Sequence, residues 1–193
     1  MALTQFQKLE LNKRVDKIFH APSNAPAKGH QPEIAFVTDV SGDIDAVHSS
    51  VRDAVASLKA HDKMFQNMRS NMVYWGREQI TSKVTPMSFI LMGRSLDSAL
   101  ALDSEIVGNL DTNVDKSPNF ENLCAYLKLY HARCRCILVF VDCSYEELAA
   151  RYFYITDAKM AKQQLNPFLK YRLLIITKDK MMTGSELMMR LIR

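Results

Sequence analysis

Asp39-Val40-Ser41-Gly42-Asp43 puts two carboxylates and a hydroxyl within five residues, directly after the run Ile34-Ala35-Phe36-Val37-Thr38. Asp142 and Ser144 follow a second apolar run, Cys136-Ile137-Leu138-Val139-Phe140-Val141, and Lys178-Asp179 follow a third, Arg172-Leu173-Leu174-Ile175-Ile176-Thr177. Carboxylates drawn from separate chain segments suit a hard cation such as Mg²⁺, which takes oxygen ligands in near-octahedral geometry and keeps several waters. Asp39, Ser41, Asp43 and Asp142 are the candidate metal ligands on this reading. Asp and Ser are also the preferred residues of strand-to-helix turns and N-caps, so a structural role is the competing reading.

A phosphoryl-transfer or hydrolytic enzyme that needs Mg²⁺ is the alternative, with Asp39 as nucleophile or ligand and Asp142 as ligand. Enzymes of that type commonly carry a second Asp two residues after the first; Ser41 stands there. The six glycines form neither Gly-x-Gly-x-x-Gly nor Gly-x-x-x-x-Gly-Lys, which argues against nucleotide binding through the common phosphate loops. His20, His30, His48, His61 and His131 form no recognisable pair with a nucleophile. Cys124, Cys134, Cys136 and Cys143 crowd into one segment, as reduced thiols do, and read as core packing; a zinc site with His131 is the lesser reading.

The elements that must hold these residues follow a repeated pattern. Each apolar run is short, ends in a polar tip, and leads into a helical periodicity. After Asp43 come Ile44, Val47, Val51, Val55 and Leu58 on one face; after Met87-Ser88-Phe89-Ile90-Leu91-Met92 and Gly93-Arg94 comes a helix capped by Ser95. Ser144 with Glu147 three residues on forms a capping-box pattern, and Ser185 starts a last helix with Leu187, Met188, Leu191 and Ile192. Continuous apolar strands alternating with helices predict an α/β, three-layer domain with a mainly parallel sheet of at least four strands. In such a sheet the strands' C-terminal ends share one edge, where ligands bind. Residues 61 to 84, with Met64, Met68 and Met72 at helical spacing, read as a helix and a loop without a clear strand.

Residues 1–20 predict an N-terminal amphipathic helix, with Thr4 as cap and Phe6, Leu9, Val15, Ile18 and Phe19 as its apolar residues. Residues 21–32, holding three prolines and Gly29, read as a linker, and 33–193 as the single α/β domain.

The loop Asp39-Val40-Ser41-Gly42-Asp43, after its strand and before its helix, resembles the first metal loop of von Willebrand factor A-type domains, Asp-x-Ser-x-Ser. The resemblance implies that Asp39 and Ser41 help to hold a divalent cation, usually Mg²⁺, through which an acidic residue of a partner is bound. Asp142 would supply a later metal loop. Position 43 is Asp where the family has Ser, and the β-hairpin that follows the family's first helix is not visible in residues 61 to 80, which read as helical.

The net charge of +4 is uneven: residues 151 to 193 hold nine Lys/Arg and three Asp/Glu. Arg172, Lys178, Lys180 and Arg190 are the candidate partner-binding cations, for a protein partner, a second copy of the chain or, as an alternative, a nucleic acid. No apolar run approaches the roughly 20 residues of a membrane-spanning helix, and polar residues interrupt the first twenty, so a cytoplasmic address is expected. The expected function is a non-catalytic protein-interaction domain, a subunit of a larger assembly, with a divalent-cation site at the strand edge.

Overall fold

The computed structural model describes residues 3–21, 32–66, 68–76, 87–91, 120–148 and 167–191. Its elements are α1 (Gln5–Phe19), β1 (Glu33–Asp39), α2 (Ile44–His61), a 3₁₀ turn (Lys63–Phe65), β2 (Arg69–Trp75) and β3 (Met87–Leu91). There follow α3 (Phe120–Tyr130), β4 (Cys134–Phe140), α4 (Pro167–Arg172), β5 (Leu173–Ile176), β6 (Met181–Thr183) and α5 (Gly184–Leu191).

The strands form one sheet in the order β3-β2-β1-β4-β5-β6. Four central strands run parallel, and β3 and β6 close the two sides antiparallel to β2 and β5. Period-two alternation divides the buried side chains between two cores. Ile34 and Phe36 of β1 join Met72, Leu138 and Ile176 beneath α1 and α2. Ala35 and Val37 join Val73, Val139 and Ile175 against Leu123 of α3, Leu169 of α4 and Leu187 of α5. Both faces of the sheet are thus covered, which is why the strand sequences are continuously apolar and not alternating. The α/β, three-layer expectation holds, with the N-terminal helix in place.

Thr4 starts α1 through a reciprocal cap: Gln7 N–H donates to Thr4 Oγ1 at 3.1 Å, and Thr4 N–H donates to Gln7 Oε1 at 2.9 Å. Leu11, Val15, Ile18 and Phe19 bury its inner face, and the Phe19 and Phe65 rings meet edge to face at 5.4 Å. Hence α1 docks on its own domain, against α2. Residues 22–31 of the expected linker lie outside the described residues, as do Arg94, the helix expected after Ser95, and the continuation of the helix begun at Ser144.

Residues 61 to 84 correct the sequence reading. The helix α2 ends at His61, and the extended Asp62 caps the next turn by accepting the Met64 N–H at 3.0 Å. Arg69–Trp75 is then a full strand, parallel to β1 from Glu33↔Arg69 to Asp39↔Trp75. Met64, Met68 and Met72 therefore do not share a helical face; Met68 and Met72 enter the core as residues before and within a strand. Polar Ser70 and Asn71 disguise this strand in the sequence. Asn71 is buried and donates from Nδ2 to the Ile34 carbonyl at 3.2 Å, which offsets part of the cost of its position. With β3 antiparallel beside β2, the pair forms the hairpin-like unit that the helical reading had left out.

The last segment also differs. The strand expected from Arg172 begins at Leu173, and Arg172 closes α4. A three-residue strand, β6, precedes α5, whose cap is not Ser185 but Thr183: Glu186 N–H donates to Thr183 Oγ1, and Thr183 N–H to Glu186 Oε2, both at 3.1 Å. Among the described residues, no helix is long and apolar enough to cross a membrane.

Candidate functional site

The C-terminal ends of β1, β4 and β5 bring Asp39, Ser41, Asp43, Asp142 and Lys178 to one edge, as the strand order requires. Asp39 is fully buried. Its Oδ1 accepts the Ser41 N–H at 2.8 Å and the Ser41 hydroxyl at 2.5 Å, while Oδ2 accepts the Asp142 N–H at 3.4 Å. Asp142 in turn accepts the Asp43 N–H on Oδ2 at 2.7 Å and faces Lys178 Nζ across 3.3 Å from Oδ1. Asp43 turns the other way and caps α2 by accepting the Ala46 N–H at 3.1 Å.

Asp39 and Asp142 are therefore linked through backbone N–H groups and tie β1 to β4, while Asp43 serves a helix. Among the described residues, no three His, Cys, Asp or Glu side chains gather to hold a metal ion. A cation at Asp39 would compete with the Ser41 donors. Beside this network lies a cleft of about 30 Å³, lined by Gln7, Asp142, Thr177 and Lys178 among others, which has room for water-sized occupants only.

The next turn is built the same way. Asp179 accepts the Tyr145 N–H at 2.8 Å and the Thr177 hydroxyl at 3.1 Å, which joins the β5–β6 turn to the β4 loop. The Tyr145 N–H bond, followed by the Thr177 hydroxyl, holds the Asp179 carboxyl below its ordinary range. Ser144 and Glu147 complete their reciprocal cap as the sequence suggests, at 3.0 and 3.4 Å.

The four candidate partner-binding cations do not form one face. Lys178 and Lys180 sit at the β5–β6 turn, whereas Arg172 precedes β5 at the opposite edge; the four-residue strand puts about 13 Å between those edges. Lys180 Nζ lies 4.9 Å over the Tyr145 ring. Arg172 is half-buried, and burial lowers its affinity for the proton. Arg190 lies on α5, and its side chain is outside those described.

All four cysteines are reduced and buried. Burial pushes the Cys136 thiol well up, and burial followed by the Glu33 charge does the same at Cys134, so both are poor nucleophiles and metal ligands.

A second region is built from the two ends of the chain. The outer face of α1 and the segment α4–β6–α5 form the walls of a groove of about 840 Å³. Phe6 and Leu9 line it while 76% and 60% exposed, with Tyr171, 45% exposed, on the far wall. Arg14 crosses it, bonding Glu10 at 3.0 Å and Glu186 at 3.1 Å. Gly184 makes the far wall compact: a Cβ there would lie 2.6 Å from the Leu169 carbonyl oxygen.

Phe6 and Leu9 read in the sequence as part of one apolar face of α1 with Val15. At about 100° per residue, Phe6 points roughly 180° away from Val15, and this angular arithmetic was the signal that separates them. Nothing in the sequence pairs α1 with Lys170 and Tyr171, since that proximity is a product of the sheet order.

Comparison with protein-family models, with curated proteins and with solved structures finds no match for this chain.

Proposed function

We propose that this chain is a non-catalytic protein-interaction domain of the cytoplasm, built on a plan like that of von Willebrand factor A-type domains, and that it docks partners through the α1–α4–α5 groove. The observation that carries the reading is Phe6 and Leu9, two large apolar side chains exposed side by side in a groove with a charged rim. Exposed apolar area concentrated in a concavity is characteristic of docking surfaces. The antiparallel β2–β3 pair after α2 supports the family resemblance, since a hairpin follows the first helix in those domains.

The enzyme alternative has less support. Asp39 is buried with both carboxylate oxygens accepting donors from the chain itself, so a nucleophilic attack would first have to dismantle that network. The nucleic-acid alternative through the basic C-terminal third has less support, because Arg172 and Lys178 stand at opposite edges of the sheet.

A photo-crosslinking amino acid at position 9, with position 56 on the exposed face of α2 as control, tests the reading in cells. A discrete protein adduct from position 9 and none from position 56 is expected. Adducts from neither position, or Mg²⁺-dependent phosphate-ester turnover by the purified chain that Asp39→Asn abolishes, would overturn it.

A further inference from the structure

The groove has a polarity along its length. Of the residues of α1 that line it, Phe6, Leu9, Lys13 and Lys17 recur at spacings of three and four, so they form one continuous stripe. The stripe is apolar in its first half and basic in its second. On the opposite wall, Lys170 extends the positive charge, with its Nζ 5.2 Å from the Tyr171 ring centre.

The groove's two acids do not offset these cations. Glu10 and Glu186 both bond Arg14, and among the described residues no ion pair engages Lys13, Lys17 or Lys170. Three lysines therefore present uncompensated charge beside exposed Phe6 and Leu9.

We infer that the groove takes an acidic amphipathic helix of a partner protein, laid along α1, with its apolar residues against Phe6, Leu9 and Tyr171 and its carboxylates against Lys13, Lys17 and Lys170. This rests on the interaction-domain reading and adds the partner's chemistry to it. The 15 residues of α1 present a track of about 22 Å, which a partner helix of about four turns matches. Helix-in-groove recognition uses anchors at spacings of three, four and seven on the partner, and such a helix would need Leu or Phe toward one end and Glu or Asp toward the other. The charged half supplies orientation and rate, and the apolar half supplies residence.

The test uses the whole chain and stapled, fluorescent helical peptides of about 16 residues that share one apolar face. One carries glutamates at the flanking positions, another carries lysines there, and a third is a scramble of the acidic sequence. In fluorescence anisotropy the glutamate peptide is expected to bind roughly 10-fold or more tightly than the lysine peptide, with affinity falling as salt rises. Phe6→Ala with Leu9→Ala is expected to weaken it by about 10-fold or more, and Lys13→Glu with Lys17→Glu to invert the preference between the two peptides. All four side chains are at the surface, and far-UV circular dichroism of each variant confirms that the fold is retained.

Equal or better binding of the lysine peptide or of the scramble, or an affinity unmoved by the Phe6/Leu9 variant, overturns the acidic-helix inference. A dimer in sedimentation velocity that Phe6→Asp disperses also overturns it, in favour of a second copy in the groove. In each of these cases a crosslink from position 9 leaves the interaction-domain reading standing, so the two failures are distinct.

Discussion

The strand edge and the α1–α4–α5 groove make opposite use of their side chains. At the edge, carboxylates that look catalytic are consumed by the chain's own donors: Asp39 by Ser41 and the Asp142 N–H, Asp142 by the Asp43 N–H, and Asp179 by Tyr145 and Thr177. In the groove, side chains that look like ordinary helix residues are left facing outward, as Phe6 and Leu9 do. Residue type alone therefore does not tell the two regions apart. What separates a structural acid from a functional one is whether its bonding capacity is already filled, and what marks a docking residue is apolar area not buried at home.

The first way to break this comparison is to remove Asp39. If the edge is structural, Asp39→Ala leaves the Ser41 and Asp142 N–H groups without their acceptor and should cost about 3 kcal/mol of stability. Urea unfolding followed by circular dichroism would show a midpoint shift with an unchanged slope. An unchanged midpoint would mean that Asp39 is held for something other than the fold. A parallel calorimetric titration with Mg²⁺ addresses the cation reading: heat of binding that disappears in Asp39→Asn would return the edge to the list of functional sites.

The buried His131 sharpens the contrast, because it is a polar group of the interior whose ring nitrogens have no hydrogen-bond partner among the described residues. Burial lowers its pKa from 6.5 to about 4. In the unfolded chain the imidazole takes a proton near its ordinary pKa, and in the folded chain it resists, so the unfolded state binds more protons between these two values. The stabilisation is complete above about pH 6.5 and is lost as pH falls toward 4. Between pH 7 and pH 5 the loss should be about 2 kcal/mol. Chemical denaturation at the two pH values should show this loss in the native chain and little of it in His131→Phe. The same loss in both would assign the acid sensitivity to other groups.

Gly184→Ala probes the groove wall without altering its lining. The added methyl meets the Leu169 and Lys170 backbone, which cannot move without shifting α4 against α5. A cost of about 1 to 2 kcal/mol in thermal or urea unfolding is expected. A smaller effect would mean that α4 and α5 slide past each other easily and that the far wall is not a fixed surface.

Much of this architecture was legible in the sequence because the signals were local. The runs ending at Asp39, Asp142 and Lys178 are continuously apolar, and a parallel sheet covered on both faces requires that pattern. Ser144 and Glu147 could be paired by their spacing alone. The strand from Arg69 to Trp75 was not legible, because Arg69 and Asn71 find partners across the sheet in Glu33 and the Ile34 carbonyl, more than thirty positions away, and Ser70 bonds the Met68 carbonyl. The edge strand β6 was too short to show a period. The edge residues could be nominated, yet their roles could not, since the same Asp types serve caps and ligands alike. The groove was hidden for a related reason: its two walls come from opposite ends of the chain and meet only when α1 lies beside the sheet, with Arg14 reaching Glu186.

The smallest expected effect bears most directly on the comparison. Phe6→Ala and Leu9→Ala remove large apolar side chains, and in a core such changes would cost about 2 to 5 kcal/mol. Because both residues are mostly exposed, little area returns to water when they are truncated, and Ala is the better helix former. Each variant should therefore stay within about 0.5 kcal/mol of the native chain in urea unfolding, and thermal unfolding should agree. The neighbouring Leu11→Ala, fully buried on the same helix, supplies the internal standard and should lose several kcal/mol. If Phe6→Ala and Leu9→Ala cost as much as Leu11→Ala, the outer face of α1 is already covered by the chain itself, and the groove is part of the core. If they cost almost nothing while Leu11→Ala costs much, that face is retained for something outside the fold, which is the distinction between the two regions stated as a measurement.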